Sequence, residues 1–123
     1  MILVDTNILI YSAKPEYKHL RVLFKQKNVG VSIISKLEVL GYHKITSLQI
    51  NYFNAIFQLV TIFSITEEII NQAIDYRQKK SMSVADSIIA STASLNGCDL
   101  YTNNVADFKN ISDLEIKNPL LTK

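Results

Sequence analysis

A chain of 123 residues, 48% of them hydrophobic, is long enough to bury a core as one compact domain without disulfides or a structural metal. Its apolar runs fall far short of the roughly 20 residues of a membrane span, and the apolar start Ile2-Leu3-Val4 has no basic leader and meets a carboxylate at Asp5, which points to the cytoplasm. Cys98 has no second cysteine to pair with, His19 and His43 lack partners at zinc-ligand spacing, and a net charge of +2 says nothing of nucleic acid until the basic residues are located one by one.

In chain order, Ile2-Leu3-Val4 reads as a buried strand, and Asp5-Thr6-Asn7 turns it into a helix. Pro15 suits the first turn of a helix running to about Lys27, with Tyr17, Leu20 and Phe24 on one face. Gly30 marks the break before a strand at Val31 to Ile34. Helical patterns follow from Ser35 to about Thr46 and from Ser47 to about Leu59, then the β-branched run Val60-Thr61-Ile62-Phe63. Thr66-Glu67-Glu68 opens a helix that Arg77, Lys79 and Lys80 close, the charge order the helix dipole favours. Ser83 to about Asn96 is helical up to Gly97, and Asp99 to Tyr101 and Leu114 to Ile116 are the last strand candidates. Short strands alternating with helices predict an α/β domain over residues 1–123, a central parallel β-sheet flanked by α-helices in three layers. Sites in such sheets form outside the carboxyl ends of the strands.

Four segments near those ends carry a carboxylate beside hydroxyl or amide side chains: Asp5 with Thr6 and Asn7, Ser35 with Glu38, Ser83 with Asp86, and Asn104 with Asp107. In the last three, Ser or Asn stands three positions before the acid, so each acid taken singly is explained by helix capping. Taken together they ask for more. Asp86 opens a helix built of Ile88, Ile89, Ala90, Ala93 and small hydroxyl residues, and no Lys or Arg occurs between Lys80 and Lys109 to compensate it or Asp107. A buried carboxylate needs a cation, and a divalent metal ion fills that role.

The blocks Ile2-Leu3-Val4-Asp5-Thr6-Asn7, Ser32-Ile33-Ile34-Ser35 with Glu38, Ala85-Asp86-Ser87-Ile88-Ile89-Ala90-Ser91-Thr92-Ala93, and Leu100-Tyr101-Thr102-Asn103-Asn104-Val105-Ala106-Asp107-Phe108 resemble PIN domains, particularly VapC-type toxins of bacterial toxin–antitoxin pairs. The resemblance spans the chain in the family's order. It implies that Asp5, Glu38, Asp86 and Asp107 bind Mg²⁺ or Mn²⁺ and support catalysis of RNA hydrolysis, with Thr6, Ser35, Thr102 and Asn104 as polar support. It also implies an antitoxin partner and a homodimer. Two departures are visible: Ser35 stands where many relatives have Thr, and Lys80-Ser81-Met82-Ser83 lacks the Gly and Pro often found before the third acid.

For RNA contact, Lys14, Lys18, Arg21 and Lys25 recur at spacings of four, three and four, which predicts one helical stripe; Arg77, Lys79 and Lys80 form a second basic group. Tyr42, Tyr52, Phe53 and Phe57 offer aromatic surface for the core, a dimer or an antitoxin helix. Two rival readings are a catalytically silent binding module of the same fold and an aspartyl phosphatase; the latter usually has a second Asp two positions after the first, where this chain has Asn7.

Overall fold

The computed structural model describes residues 1–121, so the last two residues of the expected domain lie outside the described residues. Five strands form one sheet: β1 (Ile2–Val4), β2 (Val29–Ser32), β3 (Thr61–Phe63), β4 (Asp99–Tyr101) and β5 (Ile116–Lys117). Their spatial order is β3-β2-β1-β4-β5, and every pairing is parallel. The helices are α1 (Thr6–Ser12), α2 (Ile33–Leu40), α3 (Ser47–Leu59), α4 (Glu67–Lys79), α5 (Val84–Leu95) and α6 (Val105–Phe108), with 3₁₀ segments at Pro15–Lys25 and Pro119–Leu121.

Both faces of the sheet are covered, which is why its inner strands read as continuous apolar runs. Side chains alternate across β1: Val4 joins Ile8, Leu9, Leu20, Phe24 and Phe53 on one side, and Leu3 joins Ile89, Ala90, Ala93 and Leu100 on the other. The three-layer α/β/α arrangement follows from that alternation. The chain winds outward from β1 through β2 to β3, then returns across the sheet through α4 and α5 to β4. The strand order therefore reverses between β1 and β4, where parallel sheets leave a crevice at their carboxyl ends.

Local chemistry moves several boundaries from the sequence-based expectation. Ser32 ends β2 and caps α2, its Oγ accepting from Ile34 N at 3.2 Å, so Ile33 and Ile34 belong to the helix rather than the strand. Gly30 is a buried residue inside β2. A Cβ there would lie 2.6 Å from Phe63 Cε2 and 3.1 Å from Thr61 O, so its missing side chain is what admits the β3 ring. The helix from Ser35 stops at Leu40, where the Gly41 amide closes on Leu37 O.

The segment after Pro15 is 3₁₀ rather than α-helical and kinks at Tyr17. With three residues per turn, spacings of four no longer align, and the basic stripe does not form as expected. Lys14 precedes the helix, its ammonium 5.1 Å from the Tyr11 ring centroid. Arg21 turns back, donating to the carbonyls of Ser12 (2.9 Å) and Ala13 (3.3 Å) and thereby closing α1. Lys18 and Lys25 are exposed. The second basic group is engaged as well: Lys79 pairs with Asp75 at 3.1 Å, Arg77 Nε donates to Met82 O, and Lys80 Nζ donates to backbone carbonyls around α6. Among the aromatics, Phe53 and Phe57 are core, Tyr52 donates to Ser12 Oγ at 2.9 Å, and Tyr42 is exposed. No helix among the described residues is long and apolar enough to cross a membrane.

Replacing Gly30 with Ala forces the new methyl into the Phe63 ring or the Thr61 carbonyl. The expected loss is roughly 1–3 kcal/mol of folding stability, read from the urea midpoint, and an unchanged midpoint would show that β3 yields without strain.

Candidate active site

The four acids arrive at the carboxyl end of the sheet by different routes. Asp5 is the residue after β1 and the N-cap of α1, its Oδ1 accepting from Thr6 N at 2.8 Å. It is only 3% exposed. Its other oxygen, Oδ2, accepts from Thr102 Oγ1 at 2.7 Å, and Thr102, fully buried after β4, accepts in turn from Asn104 N at 3.0 Å. Asp5 N donates to Tyr101 O, so backbone and side chain both tie β1 to β4 at the switch point.

Glu38 lies within α2, on the turn after the capped end. Thr6 Oγ1 is 2.7 Å from Glu38 Oε1 and 2.8 Å from Ser35 Oγ. A threonine hydroxyl has one hydrogen, and a carboxylate accepts more strongly than a hydroxyl, so Thr6 donates to Glu38 and accepts from Ser35. One polar line thus joins α1 to α2, and buried Ser35 holds it from behind.

Asp86 sits in the first turn of α5, whose N-cap Ser83 accepts from Asp86 N at 3.0 Å. The hydroxyls farther along this helix are satisfied internally: Ser87 donates to Val84 O, Ser91 to Ser87 O and Thr92 to Ile88 O. None has a hydrogen left to donate to a carboxylate. Asp107 is on α6, a single turn whose N-cap Asn104 makes no side-chain cap bond. Its side chain is exposed.

Capping therefore explains part of this set and not all of it. Ser83 caps as expected, yet Ser32 rather than Ser35 caps α2, leaving Glu38 outside the first turn, and Asn104 does not cap through its side chain. Electrostatics decide the matter. Burial pushes the Asp5 carboxyl up from 3.8 to about 6 against the hydrogen bonds from Thr102 and Thr6, and the charges of Asp86 and Glu38 push the same way. Burial also raises Asp86, opposed by Ser83 and reinforced by Asp107 and Glu38. All four acids thus share one field of negative potential. The one ion pair among the described residues, Lys79 with Asp75, involves none of them.

Two residues without an assigned role in the sequence reading stand beside this cluster. The Oδ1 atoms of Asn7 and Asn103 are buried with no hydrogen-bond partner among the described residues, each one residue from the Thr6 and Thr102 links. An unpartnered buried acceptor is unfavourable by about 1–3 kcal/mol, so both are candidates to bind a ligand or water. Sequence gave them only as neighbours of acids, because asparagine after a strand reads first as a turn residue.

The model of the family described as PIN domain matches residues 2–114. The chain belongs to the PIN-domain family. No curated protein sequence matches it. Among solved structures, the chain is similar to a toxin–antitoxin complex from Klebsiella pneumoniae, with 28% identity, a TM-score of 0.77, and 97% of this chain and 98% of that chain covered. VapBC-1 from nontypeable Haemophilus influenzae gives 26% identity and a TM-score of 0.76 over 96% and 98%. VapC20 of Mycobacterium tuberculosis, described as a sarcin–ricin loop cleaving toxin, shares the fold at 15% identity and a TM-score of 0.65 over 86% and 93%.

The donor set of this PIN domain suits a hard divalent ion. The side chains it offers are carboxylate, amide and hydroxyl oxygens, with neither thiol nor imidazole among them. Among the described residues, no three acidic, His or Cys side chains close into a ready cage, so the four carboxylates that the resemblance implies as ligands do not form a preformed one. Mg²⁺ does not require one. It binds through one or two carboxylates, retains waters, and is oriented further by the groups around it. Asp5, fixed by two hydrogen bonds and repelled by two neighbours, is the best-oriented anchor for such an ion.

The raised Asp5 pKa fixes the sign of a pH dependence. A carboxyl that titrates near 6 when folded and near 3.8 when unfolded binds its proton more tightly in the folded state, so stability falls as pH rises across that window. Above it the full penalty is about 3 kcal/mol. Asp5→Asn keeps an acceptor for Thr6 N, and Thr102 can accept from the new amide. In chelator, the variant should melt several degrees above the parent at pH 7.5 and close to it at pH 4. Parallel melting curves for the two proteins across that range would contradict the assignment.

Proposed function

We propose that this PIN domain is a metal-dependent endoribonuclease that hydrolyses RNA phosphodiester bonds, and that it is the toxin of a toxin–antitoxin pair. The observation that carries the proposal is the buried Asp5 carboxylate at the β1–β4 switch point, with the charges of Glu38 and Asp86 acting on it, Asp107 acting on Asp86, and no Lys or Arg among the described residues paired to any of them. Similarity to the toxin–antitoxin complexes over nearly the whole chain supports it, and the fold shared with a sarcin–ricin loop cleaving toxin supports RNA as the substrate class.

Bound Mg²⁺ or Mn²⁺ supplies charge neutralisation at the phosphate and a water acidic enough to become a nucleophile near neutral pH. The chain's own groups do the positioning. Thr6 N and Thr102 Oγ1 hold the two Asp5 oxygens in a fixed orientation, and the Thr6 hydroxyl holds Glu38. Asp86 brings its charge to the same mouth from the start of α5. Asp107, exposed at the rim, is free of hydrogen bonds from the described side chains and is suited to accept a proton from an attacking water or to face the substrate. Of Lys14, Lys18, Arg21 and Lys25, Lys14 is the best placed for RNA, because it shares a groove of about 510 Å³ with Glu38. Arg21 is committed to the carbonyls at the end of α1.

The same groove is walled by Ile10, Pro15, Val39, Tyr42, Ile45 and Phe53, an apolar trough beside an acidic rim that suits an antitoxin helix bearing apolar and basic residues. On the opposite side, Ile70, Ile74 and Val84 are exposed together across α4 and α5, a face suited to a second copy of the chain. Ile74→Glu should then shift the protein to a monomer in sedimentation velocity; a parent already monomeric at high concentration would remove the dimer from the account.

The decisive assay incubates purified protein with RNA in chelator, Mg²⁺ or Mn²⁺ and maps the cut ends. Cleavage should require the metal and fall at least ~100-fold in Asp5→Asn and Asp86→Asn. Metal-independent cutting, or variants as fast as the parent, would reject the mechanism. A parent that binds RNA and never cuts it would establish the silent binding module instead.

A further inference from the structure

We infer that Lys80 is a positioning residue for the acidic site: its ammonium clamps the one-turn helix that carries Asp107. The inference rests on the metal-dependent reading above only for its consequence, not for the clamp itself. Lys80 Nζ donates to Lys109 O at 2.8 Å and Asp107 O at 2.9 Å, and lies 3.5 Å from Ala106 O. An ammonium has three hydrogens, and the three carbonyls facing it belong to the last turn of α6 and the residue that ends it.

α6 needs external support. Four residues are too few for a helix to hold itself together, its carbonyls at the C-terminal end have no intrahelical partners, and its N-cap residue Asn104 contributes no side-chain bond. Phe108, fully buried, pins one side to the core, and Lys80 satisfies the carbonyls at the other. The other three acids are oriented through hydrogen bonds at their own side chains or at the helix start, whereas Asp107 is exposed and depends on where its backbone is held.

The choice of acceptor matters to the chemistry. A lysine ion-paired with Asp107 would offset the carboxylate, but Lys80 spends its donors on backbone carbonyls and leaves that carboxylate outside any ion pair among the described residues. Neighbouring residues keep it there. Lys79 is drawn to Asp75, and Arg77 Nε donates to Met82 O at 3.1 Å, which braces the turn between α4 and α5 from which Lys80 reaches across.

The test compares the parent with Lys80→Met, which keeps the aliphatic stem, and Lys80→Arg, which restores several donors. In Lys80→Met, amide hydrogen exchange of residues 105–109 should accelerate roughly tenfold with β1 and α5 unaltered. Mn²⁺ affinity should fall roughly tenfold, with no further fall when Lys80→Met is added to Asp107→Asn. Lys80→Arg should recover most of both. Exchange of 105–109 at the parent rate, a Lys80→Met chain that loses its fold altogether, or full additivity with Asp107→Asn would overturn the inference. A parent that neither binds Mn²⁺ nor cuts RNA would instead sink the functional reading, and the exchange measurement alone would then decide the clamp.

Discussion

A carboxylate that is almost entirely removed from water, held by two donors and pressed by two other negative charges, is the constraint around which this PIN domain is arranged. Asp5 performs two tasks at once. As the residue between β1 and α1 it caps the helix, and as the acceptor from Thr102 it joins the two strands where the sheet changes direction. Both hydrogen bonds favour the ionised form, and burial outweighs them, so the site keeps an unmet demand for positive charge. In a purely structural role that demand would be a defect; a Lys or Arg within reach would remove it.

The surrounding polar groups are consistent with a site that stays charged. Thr6, Ser35 and Thr102 are buried and carry no charge, so they orient the carboxylates without cancelling them. Four basic residues are directed elsewhere: Arg21 to the end of α1, Arg77 to Met82 O, Lys79 to Asp75 and Lys80 to the carbonyls around α6. The helix α5 repeats the pattern in its interior, where each buried hydroxyl bonds to a carbonyl of its own preceding turn.

Much of this was legible in the sequence, because strongly periodic segments carry their own signal. The apolar β1 run ending in Asp, the capped helices at Thr66 and Ser83, and the alternation of strand and helix all survive in the structure. What sequence misjudged depended on partners distant in the chain. Gly30 read as a break, yet its lack of a side chain serves β3 packing, which only the Phe63 contact reveals. The lysine and arginine stripe assumed 3.6 residues per turn in a segment that Pro15 and the kink at Tyr17 turn into 3₁₀. Ser35 matched a capping pattern, but Ser32 took that place and freed Ser35 to bond Thr6. The role of Lys80 was hidden for the same reason, since its acceptors lie 26 to 29 positions away.

The mechanism proposed for this site requires a cation bound at Asp5 by this cluster rather than elsewhere. Crystals of the protein grown with Mn²⁺ and measured at the manganese absorption edge address that directly. The account predicts an anomalous peak in coordination contact with an Asp5 oxygen, at the mouth shared with Glu38, Asp86 and Asp107. A well-ordered structure with manganese bound only at other surfaces, or with Asp5 hydrogen-bonded to a Lys or Arg in its place, would contradict it.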